Sequence, residues 1–181
     1  MKKILSVLLC FAFALCLFGC SENEVMQETT TNDVYAEAGG SITLPEEMDT
    51  SKRFNTMIVG DTMYIDFNRV MTRNTGYFQT SGDTITITSH ATTESPGLLE
   101  YKAGLWELTN DGRAQYVEGC TLYFTTGGDC HTGTFTGLDP NTRYKVTLSY
   151  DSGTYYITGA MTITGLAGGE EATDEDSGAA A

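Results

Sequence analysis

Two histidines, five cysteines and scattered carboxylates are the side chains of this 181-residue chain that could carry covalent or acid–base chemistry. A nucleophile–histidine–acid site would have to use His90 or His131. His90 directly follows Ser89, and adjacent residues of a strand point to opposite faces. No Gly-x-Ser-x-Gly elbow is present. Glycoside hydrolysis needs two carboxyl groups about 5–9.5 Å apart. Glu100 and Glu107 have an odd spacing, which sends them to opposite strand faces unless a bulge intervenes, so they read as surface charge. Calcium needs several oxygens gathered together. No Asp-x-Asp-x-Asp-Gly loop occurs, and Asp61 with Asp66, or Asp129 with Asp139, could meet only through the fold. Asp129, Cys130 and His131 are metal donors in sequence, but no second Cys/His pair completes the usual ligand spacing. There is no phosphate-cradling or dinucleotide glycine loop. The sequence predicts no catalytic residue, no metal site and no cofactor.

Aromatic rings offer a different chemistry, stacking on the C–H faces of sugars. Tyr156 is expected to point outward, opposite an inward Tyr155, and Trp106 is the second candidate ring for a ligand platform. Tyr64, Tyr77 and Tyr123 are also outward by alternation. The competing reading is that these rings only cover sheet surface.

Strands must position them. Residues 41–165 are rich in Thr, Tyr, Ile and Val, with turn residues at short intervals. Over Thr142 to Tyr150, Tyr144, Val146, Leu148 and Tyr150 share one face, and Arg143, Lys145, Thr147 and Ser149 share the other. The same logic predicts strands over Thr62–Phe67, Thr84–Thr88, Thr121–Thr125 and Tyr155–Thr164. Leu98 to Leu108 holds Trp106, but its alternation changes phase at Gly104, where a bulge would reconcile the two patterns. Asn110-Asp111-Gly112 then reads as a hairpin turn. No helical stripe occurs beyond the first residues. The fold class is all-β, an antiparallel β-sandwich.

At the start, Lys2 and Lys3 precede an apolar run from Ile4 to Phe18. The run is too short for a spanning helix of about 20 residues, and a small residue closes it, as in an export signal. Leu17-Phe18-Gly19-Cys20 resembles the lipobox of bacterial lipoprotein precursors. The resemblance implies a signal peptide over 1–19 and a diacylglyceryl group on Cys20, which becomes the first residue of the mature chain. An ordinary secretory peptide is the alternative. Two acyl chains anchor stably where one does not. Cys10 and Cys16 then leave with the signal and Cys20 carries lipid. Cys120 and Cys130 remain, in a compartment that oxidises thiols, and are expected to form a disulfide worth roughly 2–3 kcal/mol.

The formal charge is −14. Acids crowd residues 21–40 and the last stretch (Glu170, Glu171, Asp174, Glu175, Asp176), where no Lys or Arg stands. Nucleic acid is excluded as a partner, since phosphate binding needs clustered bases. Residues 20–40 read as a disordered lipidated tether, 41–165 as the sandwich, and 166–181 as a disordered acidic tail.

Leu138-Asp139-Pro140-Asn141-Thr142-Arg143-Tyr144-Lys145-Val146 is similar to a stretch of the fibronectin type III family. The resemblance implies an immunoglobulin-like sandwich in which Tyr144 makes the tyrosine corner and Leu138 and Val146 enter the core. A jelly-roll topology stays open. The family carries no catalytic motif. The expectation is an exported, membrane-anchored, non-catalytic lipoprotein that binds or displays, with the bilayer and a cell-wall glycan or surface protein as partners. A carbohydrate-binding module and a degradative enzyme are the alternatives.

Overall fold

Alternating Thr-Ile-Thr-Ile-Thr at 84–88 puts both isoleucines on one face, and each is fully buried. This pattern, repeated with other residues, builds the whole domain. The computed structural model describes residues 34–168. Cys20, the signal segment and residues 169–181 of the expected tail lie outside the described residues.

The strands in chain order are β1 (Val34–Tyr35), β2 (Glu37–Ala38), β3 (Phe54–Val59), β4 (Thr62–Val70), β5 (Thr72–Asn74) and β6 (Thr84–Thr93). There follow β7 (Glu100–Leu108), β8 (Ala114–Thr125), β9 (His131–Thr136), β10 (Tyr144–Ser149) and β11 (Ile157–Thr164). One sheet has the order β1-β8-β7-β10-β5 and the other β2-β9-β6-β11-β4-β3. β1 runs parallel to β8, and every other pairing is antiparallel. The chain is an all-β sandwich.

The inner faces make one core. Tyr101, Ala103, Leu105, Leu122, Phe124, Tyr144, Val146 and Leu148 come from the first sheet. Met63, Ile65, Phe67, Ile85, Ile87, Met161 and Ile163 come from the second. Each large apolar side chain so buried contributes about 1.5–3 kcal/mol of transfer free energy. Leu138 and Val146 lie in this core, as the fibronectin-like stretch implied. The Tyr144 hydroxyl accepts the Asp139 N–H at 2.9 Å, which makes the expected corner. The 109–113 turn closes the β7–β8 hairpin through Thr109 N–H to Arg113 carbonyl, 2.8 Å.

Several expectations need correcting. The folded part begins by Val34, not at residue 41: β1 joins β8 and β2 joins β9. After β2, Gly40 lies against the outward side chains of Thr88 and Thr132. The chain thus crosses the second sheet from its β9 edge toward β3, where the Asp49 carbonyl accepts from Asn55. At the other end, Leu166 is buried and bridges Thr80, so the fold passes residue 165. Tyr155 is not inward; β11 starts at Ile157 and Tyr155 is exposed. The irregularity near Gly104 is present, but it belongs to β8, where residues 117–120 stand opposite Leu105 alone. β7 itself keeps register with β10, so Trp106 points outward.

The expected disulfide is also absent: Cys120 and Cys130 are free, half-buried thiols. Cys120 does not begin its strand; it lies in the middle of β8. Leu122 of β8 faces Gly133 of β9, whose added Cβ would lie 2.5 Å from Leu122 Cδ2. With the chain turning back between β8 and β9, Cys120 and Cys130 stand about five strand positions apart, roughly 16 Å. A disulfide requires Cα atoms within about 7 Å. Burial holds the Cys120 thiol above its ordinary pKa.

Candidate functional site

The outer face of the first sheet is laid out by register. One row across the strands reads Tyr35, Tyr123, Lys102, Ser149, Thr72. The next reads Thr121, Gly104, Thr147, Asn74. The third reads Tyr116, Trp106, Lys145. Rows lie about 6.7 Å apart along the strands, and neighbours within a row about 4.8 Å apart.

The middle row holds only small side chains, and Gly104 has none. The result is a shallow trough across the strands with rings on both sides, which the Tyr116 ring enters to reach Thr121. On one side Trp106 meets Tyr116 edge-on, centroids 5.8 Å apart and planes at 68°. On the other side Tyr35 and Tyr123 lie 5.5 Å apart, tilted by 33°. A Cβ placed on Gly104 would touch Thr121, Trp106 and Tyr116 at 3.7–3.8 Å, an ordinary contact, so the fold does not require the glycine. The Trp106 and Tyr116 rings lean over the glycine, so the absence of a side chain there lets both rings settle close to the sheet.

Polar groups line the trough. The Tyr116 and Thr121 hydroxyls are hydrogen-bonded at 2.8 Å. The Thr147 hydroxyl donates to Asn74 Oδ1 at 2.8 Å, leaving the Asn74 NH₂ as a donor. Lys102 Nζ donates to Asp151 Oδ2 at 2.6 Å. That bond holds the Lys102 pKa above and the Asp151 pKa below their ordinary values. At the far end of the third row, Lys145 Nζ and the Arg143 guanidinium stand 5.0 and 5.2 Å from the Tyr77 ring.

Trp106 and Tyr156 are not brought together. Trp106 is on the first sheet, in register with Lys145 near the start of β10. Tyr156 precedes β11 in the second sheet, with the guanidinium groups of Arg53 and Arg69 at 5.8 and 5.1 Å from its ring. Tyr64 lies on the outer face of that second sheet, opposite Met57 and Thr162. Of the rings expected outward, Trp106 and Tyr123 flank the trough and Tyr77 extends its row. Tyr35 and Tyr116 were missed. Tyr35 fell in the expected tether, and Tyr116 precedes the irregular 117–120 stretch where alternation fails.

The carboxylate pairs are separated by the strands that carry them. Glu100 and Glu107 sit at opposite ends of β7, about 23 Å apart by strand rise, too far for paired action at a glycosidic bond. Asp61 and Asp66 are about 16 Å apart by the same measure. His131 Nδ1 faces the Asp129 carbonyl at 3.0 Å. Among the described residues no three His, Cys, Asp or Glu side chains gather closely enough to hold a metal ion. A separate open groove of about 690 Å³ lies where β1 passes into β2, lined by Tyr35, Glu37, Gly40, Thr88, Thr132 and Thr134.

No family model matches the chain, and no curated protein matches it. Among solved structures it is similar to one described in a study of the promiscuous specificity of carbohydrate-binding modules from the β-sandwich superfamily. The identity is 13%, the TM-score 0.34, and the alignment covers 66% of this chain and 50% of that one. It is also similar to a glycosylation-associated protein (Gap123) complex from Streptococcus agalactiae. There the identity is 8%, the TM-score 0.28, and 78% of this chain and 45% of that one are covered. The chain thus spans half or less of the length of either structure.

Proposed function

We propose that this chain is a non-catalytic carbohydrate-binding module that holds a glycan across the outer face of its first sheet. The observation that carries the reading is the trough over Gly104, bounded on one side by Trp106 and Tyr116. A pyranose has apolar C–H faces and a hydroxyl rim. Rings flanking a polar floor suit both, because stacking supplies area and the hydroxyls and amides fix orientation.

We also propose that the module is exported and held at a membrane surface through lipid on Cys20. The Leu17-Phe18-Gly19-Cys20 pattern supports this, and a folded domain starting by Val34 leaves a short connection. Palmitate-analogue labelling that is lost in Cys20→Ala checks the anchor; equal labelling of both refutes it.

The binding itself is tested by affinity electrophoresis of the purified chain through gels containing neutral and acidic polysaccharides. Retardation by at least one polysaccharide, relieved in Trp106→Ala with melting unchanged, is the expected result. No retardation across the panel would overturn the reading.

A further inference from the structure

The basic residues of this acidic chain are not distributed as its charge would lead one to expect. Lys52, Lys102 and Arg113 each pair with an aspartate. Arg73 donates to the neighbouring Thr72 carbonyl. Arg143 and Lys145, by contrast, form no ion pair among the described residues, although the chain carries 24 acids against 10 bases. They stand instead beside the Tyr77 ring. A ring face holds a cation without neutralising it, so the charge stays available to a ligand.

Their place matters as much as their freedom. Lys145 is the direct cross-strand neighbour of Trp106, on the same face and in the same row. Neighbours in a row are about 4.8 Å apart. A sugar stacked on Trp106 therefore carries its ring substituents to the Lys145 ammonium, with the Arg143 guanidinium beside the same Tyr77 ring, two residues before Lys145 on the side away from the Gly104 row. Ammonium is a compact point charge; guanidinium is a planar fork that matches a carboxylate with two parallel hydrogen bonds.

We propose that the glycan bound in this trough is acidic, a polyuronate whose carboxylates are read by Lys145 and Arg143. This rests on the carbohydrate-binding reading above and adds the charge class of the ligand. It also explains how a chain of net charge −14 can hold a polyanion: the acids near this end of the face do not occupy its two cations. Arg53 and Arg69 repeat the arrangement around Tyr156 on the other sheet, and they serve as an internal control for charge alone.

The experiment measures binding of the full chain, purified in detergent, to polygalacturonate, alginate and hyaluronate. Each is offered beside its carboxyl methyl ester, which keeps the backbone and removes the charge. Neutral xylan, neutral β-glucan and dextran sulfate complete the panel. At least one polyuronate should bind about tenfold or more tightly than its ester. Arg143→Ala with Lys145→Ala should abolish that difference, while Arg53→Ala with Arg69→Ala, which removes equal charge elsewhere, should leave it. Equal binding of acid and ester overturns the proposal, as does binding to neutral glycans alone; in both cases the trough remains a sugar site. Binding to dextran sulfate but to no polyuronate also overturns it. Binding to nothing in the panel overturns the carbohydrate-binding reading together with it.

Discussion

Trp106 and Tyr116 face one another across β7 and β8, edge to face, on the solvent side of the first sheet. The contact exists because residues 117–120 loop out of β8, which brings Tyr116 opposite Trp106 while Thr121 stays opposite Gly104. Without that irregularity a regular ladder would place other side chains beside the trough. The bulge thus decides which ring stands where, a use of bulges that recurs near binding sites.

Trp106 is the only tryptophan in the chain. It is half-buried and bounds the trough, so a bound sugar should exclude water from its indole. Titration with a binding glycan is expected to shift Trp emission to shorter wavelength, saturating with the same midpoint as binding measured independently. Saturated binding with unchanged emission would place the ligand elsewhere.

Tyr144→Phe removes the hydroxyl that accepts the Asp139 N–H at 2.9 Å and changes nothing else in the buried ring. Loss of one such bond should cost about 1 kcal/mol, or about 2–4 °C in melting temperature for a domain near this size. Calorimetry checks it. An unchanged melting temperature would mean that water replaces the phenol without cost.

Gly159 lies on β11 where β6 approaches most closely. A Cβ there would stand 2.0 Å from the His90 carbonyl oxygen and 2.8 Å from Ala91 Cα, both backbone atoms. Gly159→Ala should therefore destabilise by about 3 kcal/mol, since central strands cannot part without losing their ladder. Gly82→Ala, where nothing lies within 4 Å, is the matched control and should be near neutral. Equal urea midpoints for the two variants would contradict the β11–β6 register.

With Cys120 and Cys130 free, reductant should leave the melting temperature unchanged. A native disulfide would have lost about 2–5 kcal/mol on reduction. Alkylation near neutral pH should be slow at Cys120. Its thiol is held above the usual range by burial, and only the thiolate reacts. A fall in melting temperature on reduction would restore the bridge.

The strands that span the core were legible because burial imposes alternation on each strand separately. Ile85 and Ile87, Leu122 and Phe124, and the Tyr144–Leu148 face all lie where period two puts them. β1 and β2 were not legible, because each is two exposed residues whose only cause is pairing with β8 and β9. The site was half legible. Trp106 and Tyr123 were marked as rings that could face out, but the trough is a property of register between β8, β7, β10 and β5. Register is set by tertiary pairing and leaves no mark within any one segment. The cysteines misled for the same reason: counting them gave a pair, and only the mid-strand place of Cys120 shows why they do not meet.

The central claim is that the Trp106 and Tyr116 rings, settled over Gly104, receive a sugar. Gly104→Val pushes these exposed rings out of place from below. The backbone there is extended, and the first added carbon makes only ordinary contacts, so strand stability should hold or rise with the β-branched residue. Calorimetric titration of this variant with a glycan that binds the unaltered chain is the most direct test. The account predicts binding weakened by at least about tenfold, or about 1.4 kcal/mol, with the melting temperature kept. Full affinity in a folded Gly104→Val chain would contradict it.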